Sequence, residues 1–121
     1  MIGIGVDLVE IERFRRTLER TPGIIDRCFT DAERAYAEKR RDPTERFAVR
    51  FAAKEAVMKA LGVGIGEVRL RDIEIERAES GRPSIVLHGT AADLARERGV
   101  TDWLLTMTHT ASMAEAIAVA R

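Results

Sequence analysis

The chain has a single cysteine, Cys28, among its 121 residues, so neither an internal disulfide nor a cysteine-based metal cluster is available to it. Also missing are an apolar run long enough to span a bilayer and the apolar region of a secretory signal after Met1. A reducing cytoplasm is therefore the expected compartment, with no membrane partner. An excess of charge is lacking too: 20 Lys+Arg stand against 20 Asp+Glu, a formal net charge of zero. A general nucleic-acid binder would carry a cationic footprint, so no nucleic-acid partner is expected and recognition by charge must be local. Repeats and linkers are absent. What remains, 45% hydrophobic and 33% charged residues, is the mixture of an ordinary folded protein, expected as one domain over residues 1–121.

Ile2, Ile4, Val6 and Leu8 alternate with Gly3, Gly5 and Asp7, the period of a short strand with a small-residue side, ending near Asp7. From Leu8 the period becomes helical, with Ile11, Phe14 and Leu18 on one face, and Thr21-Pro22-Gly23 stops it. Thr30-Asp31-Ala32-Glu33 is a capping box that opens a second helix, closed before Asp42-Pro43. Thr44 caps a third, Glu45 to Leu61, with Gly62 just past its end. The rest reads as strands with one helix inserted: Val68 to Arg77 with a bend near Arg71-Asp72, Ser84 to His88, a helix from Ala91 to Arg98 capped by Thr90, Trp103 to His109 and Glu115 to Ala120. The order β-α-α-α-β-β-α-β-β predicts an α+β fold with a largely antiparallel sheet packed with helices.

The third helix carries the most information. Its apolar residues surround the whole circumference, as in a buried helix, yet it holds Arg50 with Lys54 and Glu55 with Lys59 at i,i+4 spacings. At 100° per residue the two pairs point roughly 140° apart, so two polar sites are implied. The plain alternatives are an exposed Glu55–Lys59 ion pair and an Asp7 that merely caps the first helix, with Glu10 as its capping-box partner. The functional alternative joins Asp7 and Glu55 in a two-carboxylate site of hard oxygen ligands, the donor set that Mg²⁺ shares with substrate phosphates. Arg13, Arg16 and Arg20 lie within about 60° of one another on the face opposite Ile11, Phe14 and Leu18, a local basic stripe on a neutral protein. The glycines of Gly62-Val63-Gly64-Ile65-Gly66 would let backbone amides approach an anion. His88 has no motif around it and reads as structural.

Gly3-Ile4-Gly5-Val6-Asp7-Leu8 with Arg13, the run from Arg46 to Gly62 around Arg50-Phe51-Ala52-Ala53-Lys54-Glu55-Ala56, Gly81-Arg82-Pro83 and Thr108-His109 together resemble the holo-[acyl-carrier-protein] synthases, a group of 4′-phosphopantetheinyl transferases. The resemblance covers essentially the whole chain, and its ordered combination favours the functional reading of Asp7 and Glu55. It implies a 4′-phosphopantetheinyl transferase-like fold. It also implies transfer of the phosphopantetheine arm of coenzyme A to a serine of apo-acyl carrier protein, with Mg²⁺, releasing adenosine 3′,5′-bisphosphate. By the same resemblance the enzyme is a homotrimer with each active site between two subunits. Asp7 and Glu55 would hold the metal, and Lys59 would join them in catalysis beside the diphosphate. The acceptor serine's proton would go to Glu55 or to a metal-polarised water. Arg50, Lys54, the loop glycines Gly62, Gly64 and Gly66, Arg82, Pro83, His109 and Thr110 would bind coenzyme A, His109 and Thr110 at the 3′-phosphate and adenine end, reaching in from the neighbouring subunit. The Arg13–Arg16–Arg20 stripe would dock the acidic carrier protein. The chain departs from the family's pattern before the last histidine, where Leu104 stands at a position that bears a hydrogen-bonding residue in many members. Two other functions use the same residues: a metal-dependent phosphohydrolase acting on coenzyme A, and a non-catalytic trimeric coenzyme A-binding module.

Overall fold

The computed structural model describes all of Met1–Arg121. Its elements are β1 (Gly3–Glu10), α1 (Ile11–Arg20), α2 (Ile24–Cys28), α3 (Asp31–Ala37), α4 (Thr44–Leu61), a 3₁₀ turn (Leu70–Asp72), β2 (Ile73–Arg77), β3 (Pro83–Leu87), α5 (Gly89–Glu97), β4 (Trp103–His109) and β5 (Met113–Ala120). Three strands form an antiparallel sheet in the order β1-β5-β4, and β2 pairs antiparallel with β3 as a separate hairpin. This is the expected α+β architecture with one element added. The five residues of α2 are too few to show a helical period.

Several boundaries differ from the sequence reading: Thr44 is the first residue of α4 and not its cap, which is Pro43 without a side-chain bond, and β3 and β5 begin at Pro83 and Met113. β1 does not stop at Asp7 but runs to Glu10, because every residue from Gly3 to Glu10 has a partner on β5, Asp7 opposite Ala116. α1 accordingly begins at Ile11 with no side-chain cap, so Asp7 is a strand residue and not a helix cap. The slip of apolar parity before Ile73 is the 3₁₀ turn Leu70–Asp72, and α5 starts at Gly89 without a side-chain cap from Thr90. The Thr30/Glu33 capping box on α3 forms as the sequence predicts. Gly62 takes φ +72°, and its amide and that of Val63 bond back to the Lys59 and Met58 carbonyls, closing α4 in a Schellman turn.

The sheet's inner face is made of small residues. Ala114, Ala116, Ala118 and Ala120 of β5 are buried, and with Gly3 and Gly5 of β1 they let the alanine-rich α4 lie directly on the strands. A Cβ on Gly3 would stand 2.0 Å from the Ala60 carbonyl oxygen, and one on Gly5 2.0 Å from that of Ala56. Only glycine fits at that separation. The outer face is the reverse: Ile2, Ile4, Val6 and Leu8 are 46, 59, 52 and 56% exposed, and Ile4, Val6 and Leu8 pair with Val119, Ile117 and Glu115 of β5. Beyond these lie Leu104, Thr106 and Thr108 of β4.

Gly5→Ala is predicted to force β1 off α4 and to lower stability by about 1–3 kcal/mol or more, as overpacking does. Chemical denaturation of wild type and variant measures the loss, and equal midpoints would contradict the close contact.

Candidate active site

The glycine contact fixes where the next inward residue of β1 goes. Asp7, two positions beyond Gly5, turns its carboxylate toward α4, where Lys59 Nζ donates to Asp7 Oδ1 and to the Val6 carbonyl, both at 3.0 Å. Lys59 therefore pairs across the strand–helix contact and not with Glu55, which disposes of the i,i+4 ion pair. Glu55, one turn back on α4, shares with Asp7 the wall of a cavity of about 510 Å³. Burial and then the charge of Asp7 raise the Glu55 pKa above the ordinary carboxylate value, and Lys59 offsets part of the effect. Two carboxylates that repel each other at a half-buried site favour a cation between them. Glu10 lines the same cavity, but no three acidic, histidine or cysteine side chains gather closely enough to hold a metal ion by themselves, so the donor set is that of a hard ion completing its shell with water and substrate phosphate oxygens. The rest of the cavity is lined by Leu8, Val9, Glu10, Arg13, Phe14, Thr17, Phe51 and Met113. Arg13, Arg16 and Arg20 are all exposed along α1.

The other i,i+4 pair on α4 separates into two roles. Lys54 is fully buried, and its ammonium donates to Glu33 Oε1 at 2.8 Å, to the Leu70 carbonyl at 3.0 Å and to that of Ile73. Glu33 accepts in addition from the Thr30 and Ile75 amides, so both charges are saturated inside the protein. The expectation that Lys54 binds coenzyme A is corrected here: an ammonium with three protein partners and no solvent access has nothing left to offer a ligand. Arg50 is 3% exposed but lines a cavity of about 200 Å³ together with Tyr36, Arg40, Glu45, Arg46, Arg77 and His109. Burial lowers its pKa from the ordinary guanidinium value, opposed by the Tyr36 phenol beside it. His109 Nε2 lies 3.4 Å from Glu45 Oε1.

The remaining expected ligand groups are dispersed. Thr110 Oγ1 accepts from the Ser112 and Met113 amides, which commits it to the β4–β5 turn. In the glycine loop the Gly62 amide closes α4 and the Gly64 amide donates to Glu67 Oε2, so of the three glycines only Gly66 keeps an uncommitted amide. Arg82 and Pro83 line a separate cavity with Trp103 and Leu104. Trp103 and His109 are the two ends of β4, a strand of seven residues, or roughly 20 Å, so within one chain Arg82 and His109 do not share a ligand contact. His88 is paired with Glu74, Nε2 to Oε1 at 2.8 Å. Missed by the sequence reading were Tyr36, Arg40 and Arg77 beside Arg50. Arg46, four residues before Arg50 on α4, was the available signal, whereas Tyr36 and Arg77 arrive from α3 and β2 with no local pattern to announce them.

Residues 3–116 match the family model of the 4′-phosphopantetheinyl transferase superfamily. The holo-[acyl-carrier-protein] synthase of Moorella thermoacetica is 46% identical over 119 residues, covering 98% of this chain and 93% of that one. Among solved structures, the holo-[acyl-carrier-protein] synthase of Neisseria meningitidis superposes with a TM-score of 0.91 at 31% identity, covering 100% of this chain and 98% of that one. The Helicobacter pylori enzyme, solved in complex with coenzyme A, gives 0.85 at 28% identity, covering 98% and 99%. The chain belongs to the 4′-phosphopantetheinyl transferase superfamily, and within it to the holo-[acyl-carrier-protein] synthases. It is a transferase.

Lys54→Met is predicted to cost about 3–5 kcal/mol, because it strands Glu33 as an uncompensated buried charge, whereas adding Glu33→Gln recovers part of the loss. Denaturation of the two variants decides it: a neutral Lys54→Met would contradict the interior role.

Proposed function

We propose that the chain transfers the phosphopantetheine arm of coenzyme A to a serine of apo-acyl carrier protein with Mg²⁺ and releases adenosine 3′,5′-bisphosphate. The observation that carries this reading is the convergence of Asp7, Glu55 and Lys59 across the β1–α4 contact, two carboxylates and one ammonium at the mouth of a cavity. The coenzyme A complex of the similar Helicobacter pylori enzyme supports the donor substrate, and the name shared by the relatives supports the acceptor.

Asp7 and Glu55 would hold Mg²⁺, which when bound screens the diphosphate and makes the departing phosphate a better leaving group. Lys59, oriented by the Val6 carbonyl and the Asp7 carboxylate, places a point charge against the same diphosphate oxygens. Glu55, on the cavity wall, would take the serine's proton as the hydroxyl attacks. The apolar walls from Leu8, Phe14 and Phe51 keep water from competing with the serine. Arg13, Arg16 and Arg20 give the acidic carrier a docking surface beside the same cavity, sensitive to salt.

Arg50 and Glu55 are five residues apart on α4, hence about 140° around it and about 7.5 Å along it. A ligand lying on Asp7 and Glu55 does not extend to Arg50 and His109 of the same chain by a direct path. An active site shared between subunits resolves this, and the apolar outer face of the sheet supplies the interface. Ile4, Val6 and Leu8 beside Ile117, Val119 and Leu104 form a contiguous patch of the kind that marks an association surface. We infer a homotrimer joined through it, with the Arg50–His109 cluster of one subunit facing the Asp7–Glu55–Lys59 cluster of the next.

Two measurements follow from this reading. Intact-protein mass spectrometry of apo-acyl carrier protein incubated with the enzyme, coenzyme A and Mg²⁺ should show a gain of one phosphopantetheine, abolished by EDTA and sharply reduced by Glu55→Gln. Coenzyme A cleaved with no carrier modified would replace the transferase by a hydrolase. Val6→Glu should convert the trimer to monomer in light scattering and lower activity with secondary structure retained; an unchanged mass would remove the sheet face as the interface.

A further inference from the structure

Four guanidinium groups and an imidazole line the cavity around Arg50, and its one carboxylate, Glu45, is already engaged by Arg40 at 3.1 Å and by His109. Arg46, Arg50 and Arg77 make no salt bridge, although Glu33, Glu74 and Glu76 line the adjoining cavity with Arg50 and Arg77. What holds them together is an aromatic ring: their guanidinium carbons lie 4.1, 4.3 and 5.7 Å from the centroid of Tyr36. Two of the three arginines also donate hydrogen bonds to this residue, and the third donates to the backbone of α4. Arg46 Nη1 donates to the Tyr36 carbonyl at 2.7 Å, Arg77 Nη1 to the Tyr36 hydroxyl at 3.2 Å, and Arg50 Nη1 to the Arg46 carbonyl at 3.4 Å. Three like charges gathered on one ring repel one another, and cation–π attraction offsets only part of that repulsion. The arrangement has the character of a preformed anion site whose charge is completed by a ligand. Its effect on the ring is visible: burial alone would raise the Tyr36 pKa, but Arg77, Arg46 and Arg50 outweigh it and hold the phenol below its ordinary value.

We propose that Tyr36 is a positioning residue, the platform on which Arg46, Arg50 and Arg77 are held together to receive the ribose 3′-phosphate of coenzyme A. The inference rests on the reading above, that coenzyme A is the donor and that its 3′-phosphate end lies at Arg50 and His109. A terminal phosphate is a dianion with three acceptor oxygens, and guanidinium groups converging from α4 and β2 match it in charge and in donor geometry. A free guanidinium loses rotamer entropy when it binds. One already stacked on a ring has been ordered in advance, so the ring converts flexible arginines into a rigid phosphate socket.

The test is the ratio of kcat/KM for coenzyme A to that for 3′-dephospho-coenzyme A, which a general loss of folding does not move. Wild type should prefer coenzyme A by roughly 10- to 100-fold, the value of a charge-assisted phosphate contact. A wild-type ratio near one would overturn the placement of the 3′-phosphate, and with it the reading on which the proposal rests. With that preference established, Tyr36→Leu should shrink the ratio by about tenfold, while Tyr36→Phe, which keeps the ring, retains most of it. A Tyr36→Leu enzyme that keeps the wild-type ratio, or a Tyr36→Phe enzyme that loses it as fully as Tyr36→Leu, overturns the platform role and leaves the substrate reading standing. Arg77 is exposed, so Arg77→Gln tolerates the change even if Tyr36→Leu does not fold. It too should lower the ratio, and an unchanged ratio there overturns the proposal.

Discussion

The approach of β1 to α4 is the constraint from which the rest of the structure follows. At Gly3 and Gly5 the strand lies so near the helix that a single added carbon would strike the carbonyl oxygens of Ala60 and Ala56. Backbone this close leaves no room for side chains between the two elements. The first inward residue with a side chain, Asp7, must direct it along the helix surface, and there it meets Lys59 with Glu55 one turn away. The same contact inverts the usual sense of an alternating strand. Because the small residues face the helix, the apolar ones face outward, and an isolated chain exposes a hydrophobic sheet surface of the kind that marks an interaction site.

The ionisable residues of α4 show how direction around one helix decides the fate of a charge. Lys54 points at α3 and β2, where Glu33 and two carbonyls enclose it, and it becomes a fastening. Glu55 and Lys59 lie toward β1 beyond its glycines, Lys59 paired with Asp7 and Glu55 on the cavity wall, and they remain chemically available. Arg50 points at Tyr36 and stays unneutralised among other cations. The rise in the Glu55 pKa and the fall in that of Arg50 share burial as their main cause. They differ in what surrounds them: a second carboxylate in one case, further guanidinium groups in the other. One of these surroundings calls for a cation and the other for an anion, the two kinds of partner that a nucleotide diphosphate bound with its metal presents.

Most of the architecture was legible because it rests on local signals. The capping box at Thr30, the left-handed Gly62 and the alternation of β4 and β5 each lie within a few residues of what they determine. Asp7 was legible as a site residue only through the combination of motifs, since its own surroundings fit a helix cap equally well. What removes the helix-cap alternative is the pairing of Asp7 with Ala116, more than a hundred residues away, which no local pattern records. Lys54 was misread for a related reason. Its spacing from Arg50 placed both on one stripe of the helix, but α3 brings Glu33 over one of them and not the other, and that is settled by tertiary packing. The cluster at Tyr36 was hidden more deeply, for its members come from α3, α4, β2 and β4.

β4 makes plain why one copy of the chain is an incomplete enzyme on the reading proposed. The strand carries Trp103 at one end, beside Arg82 and Pro83, and His109 at the other, beside Arg50. Within one chain these two ends lie in cavities separate from each other and from that of the Asp7–Glu55 cluster. Flexing the chain would not bring them together, since that would require breaking the glycine contact that orients Asp7. On that reading a second copy placed against the outer sheet face would bring complementary halves together. The apolar surface that looks like a defect in the isolated subunit is then what sets the distance between the site that handles the diphosphate and the one that holds the far end of the substrate. On the proposed reading site geometry and subunit association are a single property, and a mutation on the outer face would act on catalysis without touching a ligand.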